Sequence, residues 1–113
     1  MSDILEQLTA ILAQRKQADD PESYVAGLHR KGLNKILEKV GEEAVEAVLA
    51  AKDCEQDDSD SKRLEVVKET ADLWFHCMVM LSHLDLDARQ VLEELEKRFN
   101  ISGLVEKASR TNQ

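Results

Sequence analysis

The chain has 113 residues, 23 of them acidic and 15 basic, with a formal net charge of -8 at pH 7. That length supports one hydrophobic core, hence one domain over residues 1–113. The acid excess would repel a phosphate backbone and excludes a nucleic-acid partner. No apolar stretch is long enough to span a bilayer, and Met1-Ser2-Asp3-Ile4 lacks the basic and apolar regions of a signal peptide, so no membrane partner and a cytoplasmic location are expected.

One proline, four glycines and a predominance of Ala, Leu, Glu and Lys predict an all-α fold, a helical bundle of about four to five helices. The first helix is expected from Asp3 to Gln17, where Ile4, Leu5, Leu8, Ile11 and Leu12 recur at helical spacing. Residues 18–23 break the pattern, and Pro21 can open a short turn with Asp20 as its cap. Tyr24 is read as part of a loop-like segment. A second long helix starts between His29 and Leu33 and ends near Asp53. Residues 54–61 read as an acidic, solvated loop. The third long helix runs from about Ser61 to His83, and a fourth, capped by Asp85 or Asp87, ends near Phe99. Asn100-Ile101-Ser102-Gly103 then precedes a short basic helix from Leu104 to Arg110. Cys54 and Cys77 form neither a metal-binding spacing nor a disulfide framework, and Cys77 reads as a small core residue.

Chemistry concentrates on the two central helices. At 100° per residue, Leu33, Ile36, Leu37, Val40, Ala44, Ala47, Val48 and Ala51 form one apolar stripe on the second helix. Glu43 borders it, Glu46 lies a turn further along and slightly outward, and Glu42 points toward solvent. Residues three apart on a helix are neighbours, so Glu43 and Glu46 can share one ligand. The alternative is a solvated acidic face paired with Lys35 and Lys39. On the third helix, the run from Ala71 to Leu81 is apolar nearly all round, as in a helix buried on most sides. Glu69, Asp72 and His76 nevertheless stack along one face of it. Buried carboxylates cost several kcal/mol each unless paired or metal-bound. Lys68 points away from Asp72, and Lys62 and Arg63 sit back at the helix start. A divalent cation is the economical partner, and hard oxygen ligands select Mg²⁺ or Mn²⁺. Acidic pairs facing each other across a bundle build metal sites of this kind. Four or five carboxylates exceed the needs of one Mg²⁺, which keeps waters and shares substrate phosphates, so the pattern suits a metal-chelated polyphosphate. Pairing of Glu69 and Asp72 with Lys35 and Lys39 across the bundle is the competing reading.

Gly41-Glu42-Glu43-Ala44-Val45-Glu46, followed by Glu69-Thr70-Ala71-Asp72, resembles the EExxE…ExxD signature of the all-α nucleoside-triphosphate pyrophosphatases, the MazG-like superfamily. Ser23 to Leu28, Gly32 to Glu43, Asp72 to Leu81 and Ser102 to Arg110 are similar to blocks of its phosphoribosyl-ATP pyrophosphatase branch. The resemblance covers nearly the whole chain. It implies hydrolysis of phosphoribosyl-ATP to phosphoribosyl-AMP and pyrophosphate, the second step of histidine biosynthesis, with Mg²⁺, in a cytoplasmic homodimer. It also implies that Glu43, Glu46, Glu69 and Asp72 hold the metal. Glu42 is an extra ligand or orients water, and Glu42 and Glu43 are the catalytic candidates. The chain is too short for the cyclohydrolase often fused to this enzyme and lacks its cysteine-rich site, so the stand-alone form is expected.

For substrate binding, Lys35 and Lys39 can reach phosphate, with a helix salt bridge as their alternative role. Arg30 and Lys31, and Arg98, Lys107 and Arg110, are candidates for a second cationic pocket or are plain surface charge. His76 is expected as a hydrogen-bond partner behind the ligands or a satisfied core histidine. His29 and His83 carry no specific signal, and Trp74 and Phe75 are expected in the core. The Leu73 to Leu81 run exceeds what its neighbours can cover, which favours a two-fold dimer. Two other functions stay open: a house-cleaning nucleoside-triphosphate pyrophosphatase and a non-catalytic helical module with a structural metal.

Overall fold

Cap residues place the helix boundaries in the computed structural model, which describes residues 2–100. α1 spans Ser2–Gln17, α2 Tyr24–Lys31, α3 Leu33–Gln56, α4 Asp60–His83 and α5 Ala88–Phe99. The Ser23 hydroxyl accepts from the Ala26 amide and starts α2; the Ser59 hydroxyl does the same for α4 through the Lys62 amide. Asp87 and Gln90 close a capping box on α5, which settles the choice between Asp85 and Asp87.

All five helices confirm the all-α expectation, with one element missed. Residues 24–31 form a separate eight-residue helix, where a loop and the approach to the second helix were expected. Gly32, at φ +97°, ends α2 and begins α3. A side chain there is strained in that backbone conformation, so the glycine divides what would otherwise read as one helical run. The expected tail helix, Leu104 to Arg110, lies outside the described residues.

α3 and α4, 24 residues each, are joined by residues 57–59 and pack along each other as an antiparallel hairpin. α1 packs on α2 and α4, α2 on α3, and α5 on α1. The core sits at one end of the hairpin: Leu12, Val25, Leu28, Ile36, Met78, Val79 and Ala88 are buried, with Leu5, Leu8, Phe75 and Met80 packed against them.

The buried positions of α3 are Ile36, Glu43 and Ala50, seven residues apart. Seven residues are two turns, the repeat of a helix pair with a continuous seam. Glu43 therefore lies in the seam rather than at its border. Leu37, Val48 and Ala51, expected in the stripe, face outward; Val48 is 62% exposed. Val40, Ala44 and Ala47 are partly covered, whereas Val45, Val48 and Leu49 are exposed. α4 likewise is not covered all round: Trp74, expected in the core, is 59% exposed, whereas Phe75 packs against the core as expected.

Candidate active site and metal centre

The seam of α4 follows the same seven-residue rule as that of α3. Glu69 and His76 are seven apart and face α3, so they meet Glu43 across the hairpin. One carboxylate oxygen each from Glu43, Glu69 and Asp72 lies within 4.8 Å of the others. Glu43 is only 9% exposed. Its Oε2 and the Oε2 of Glu69 are buried without any hydrogen-bond partner. Buried, unpartnered oxygens on acids this close together are unfavourable unless a proton or a cation stands between them.

The electrostatics agree. Burial, then repulsion from Glu46 and Asp72, pushes the Glu43 carboxyl above its ordinary value, with His76 acting weakly the other way. Glu69 is pushed up to about 7, first by desolvation, then by Glu46, Glu65 and Asp72. Glu46 thus stands close to both Glu43 and Glu69. Glu65 is a fifth carboxylate that the motif did not single out; its signal was its place one turn before Glu69.

The lysines stand apart from this cluster. Lys39 Nζ donates to Glu42 at 3.2 Å and Lys35 Nζ to Glu38 at 3.4 Å, both within α3. Among the described residues, neither lysine pairs with Glu69 or Asp72. The cross-bundle salt-bridge reading is therefore not what the chain adopts. Glu42, unlike its neighbour Glu43, is exposed and pairs with Lys39. Lys39 still borders the site, because Glu42 first, then Tyr24 and Glu43, hold its ammonium above the usual lysine range. The three clustered acids offer oxygen only, with no thiolate or imidazole among them. That donor set fits a hard divalent cation.

His76 is 5% exposed and fully used. Its Nδ1–H donates to the Asp72 carbonyl at 2.8 Å, and in the neutral ring Nε2 then accepts from the Tyr24 hydroxyl, also at 2.8 Å. Both ring nitrogens are satisfied and neither bonds a carboxylate, which matches the expectation of a satisfied core histidine. His29 and His83, which carried no signal in the sequence, share an N–H···N bond of 2.9 Å between their Nδ1 atoms at the far end of α4. Lys16 secures that end by donating to the Ser82 carbonyl and to Asp85, each at 2.7 Å.

The other basic candidates are spread out. Arg30 and Lys31 are exposed at the end of α2, on the side of the His29–His83 pair. Eleven residues of α4 separate Asp72 from His83, about 16 Å at helical rise. Arg98 donates to Glu94 within α5 at 3.0 Å. Lys107 and Arg110 lie outside the described residues.

The family model for phosphoribosyl-ATP pyrophosphohydrolase matches residues 5–99. The chain belongs to that family. It is therefore a hydrolase that acts on phosphorus anhydrides. The match takes in α1 almost entirely and α2 to α5 completely, so both acid-bearing helices of this phosphoribosyl-ATP pyrophosphohydrolase family member fall within it. No helix among the described residues is long and apolar enough to cross a membrane.

Proposed function

We propose that the chain is a single-domain, cytoplasmic, Mg²⁺-dependent phosphoribosyl-ATP pyrophosphohydrolase. It cleaves phosphoribosyl-ATP to phosphoribosyl-AMP and pyrophosphate, in the second step of histidine biosynthesis. The observation that carries this reading is the pair of buried, unpartnered oxygens of Glu43 and Glu69 beside Asp72, on an all-oxygen site in a member of this family.

Glu43, Glu46, Glu69 and Asp72 are the residues that would hold the ion. When bound, Mg²⁺ supplies charge neutralisation between triphosphate and carboxylates, polarises the phosphorus and lowers the pKa of a coordinated water. Mn²⁺ would satisfy the same donor set. Glu42 and Glu43 are the acids to orient the attacking water or take its proton. Glu42 also pairs with Lys39 at the rim. There Lys39 can meet a phosphate oxygen as a point charge, with Lys35 one turn behind. Arg30 and Lys31, with Arg98, Lys107 and Arg110, are the cations available for the second phosphate of the substrate, away from the acids.

Homodimerisation belongs to the same proposal. Leu37, Val45, Val48, Leu49, Val67 and Trp74 leave a second apolar face open on the hairpin. A two-fold partner is the commonest way to cover such a face. Sedimentation at micromolar concentration checks it, with a monomer as the contrary result.

The deciding experiment is pyrophosphate release from phosphoribosyl-ATP beside a panel of ordinary and damaged nucleoside triphosphates, with and without Mg²⁺. Preference for phosphoribosyl-ATP is expected. Equal or better turnover of the panel would instead make the protein a house-cleaning pyrophosphatase.

A further inference from the structure

We propose that Tyr24 is a substrate-contacting residue that reads a hydrogen-bond donor on the nucleoside part of the substrate. The proposal rests on the reading above and extends it to a specific group. It starts from the way the tyrosine is held. The Asp72 carbonyl fixes the ring of His76 by accepting from Nδ1–H. The buried imidazole then presents Nε2 to the Tyr24 hydroxyl. The phenol ring stacks on Phe75, with centroids 6.4 Å apart and planes 22° from parallel, and meets His76 edge-on. Three contacts thus set the position of the ring and the direction of its O–H.

Despite this, the residue is 51% exposed. Half of a ring held in this way is open to a ligand. Its location is also specific. Its anchor, His76, lies one turn beyond Asp72, and Tyr24 and Glu43 both lie close enough to Lys39 to act on it. A triphosphate that enters over the acids past Lys39 therefore brings its nucleoside end alongside the phenol.

The chemistry follows from the hydroxyl's commitment. Its proton is donated to Nε2, so the oxygen has only lone pairs to offer. Lone pairs repel phosphate oxygens and attract an O–H or N–H donor. The triphosphate has none, whereas the nucleoside has sugar hydroxyls and a base amino group. Tyr24 is accordingly expected to discriminate on the nucleoside and to leave the recognition of phosphate to the acids and lysines.

The test is Tyr24→Phe, which keeps the ring contacts and removes the oxygen. With phosphoribosyl-ATP, KM is expected to rise by roughly two- to tenfold, the worth of one neutral hydrogen bond, with kcat within about twofold. Inhibition by Mg²⁺–tripolyphosphate, which carries no nucleoside, should be unchanged. Binding of ATP, 2′-deoxy-ATP and inosine triphosphate to the Mn²⁺-loaded protein, by calorimetry, separates the donors. The analogue that loses affinity for the wild type but loses none for the variant names the group. If tripolyphosphate inhibition weakens by the same factor as substrate binding, or if no analogue penalty changes, the proposal is overturned. A wild type that releases no pyrophosphate from phosphoribosyl-ATP, yet shows the analogue differences, would sink the proposed reaction and leave the role of Tyr24 standing.

Discussion

Glu43→Gln should stabilise the metal-free protein and at the same time remove most of the stabilisation that metal provides. In the wild type, Glu43 is nearly fully buried, its Oε2 has no partner, and Glu46 and Asp72 repel its charge. Glutamine keeps the shape, removes the charge and gives the surrounding carboxylates an N–H donor. Relief of one unpartnered buried acceptor is worth on the order of 1–3 kcal/mol. For a domain of this size that is a melting point roughly 4–12 °C higher in chelator. With metal at a hundred times its dissociation constant, the wild type should gain about 2.7 kcal/mol by linkage, or about 10 °C. If loss of a ligand weakens the ion by roughly 10–100-fold, the variant gains only about 0.4–1.4 kcal/mol at the same concentration. Thermal melts of both proteins in EDTA and in Mg²⁺ or Mn²⁺, followed by circular dichroism, measure all four numbers. A variant that melts lower than the wild type in EDTA, and gains as much from metal, would refute the claim that these acids are arranged for a cation.

Glu46→Gln, Glu69→Gln and Asp72→Asn should each cut turnover by roughly a hundredfold or more while the helical circular dichroism is retained, since each replaces a charged carboxylate by a neutral amide and weakens the hold on a cation; full activity in Asp72→Asn would remove that residue from the site. Glu69 has its carboxyl raised from 4.5 to about 7, so the folded metal-free protein holds a proton that the unfolded chain releases. Its contribution is present below pH 4.5 and lost as the pH rises through about 7, and urea unfolding in EDTA should show a downward slope there that Glu69→Gln flattens. His29 has the opposite sign: burial, then His83 and Lys16, hold its imidazole below the ordinary 6.5. Its contribution is complete above pH 6.5 and lost as the pH falls through its lowered value, so His29→Gln should lessen acid destabilisation in the same unfolding measurements, and an unchanged profile would count against the pair as a neutral hydrogen bond. The double variant Arg30→Ala/Lys31→Ala should lower kcat/KM for phosphoribosyl-ATP by roughly ten- to a hundredfold and leave weak turnover of ATP nearly unchanged, as befits a second phosphate held away from the acids; an equal loss on both substrates would place the second pocket elsewhere.

Some of this protein was decided locally, and the sequence alone determined it. Helix formation depends on composition, on 3.6-residue periodicity and on caps. These made the all-α class and four of the five described helices legible, and Asp87 already carried the signal of its capping box. The spacings of Glu43, Glu46, Glu69 and Asp72 put acids on one side of each helix for the same reason. What depends on how helices meet was not local. Summing apolar residues around α3 averaged two faces into one stripe and pushed Glu43 to its edge. Packing instead covered the line of Ile36, Glu43 and Ala50, and this brought Glu43 opposite Glu69. The same choice left Val48 and Trp74 outside. Gly32 hid a helix boundary, because its significance lies in a positive φ that the letters do not state. Bonds such as Tyr24 to His76 and His29 to His83 join residues more than fifty positions apart. A hydrogen bond needs its two atoms within about 3 Å, and only the docking of α2 against α4 decides which side chains come that near.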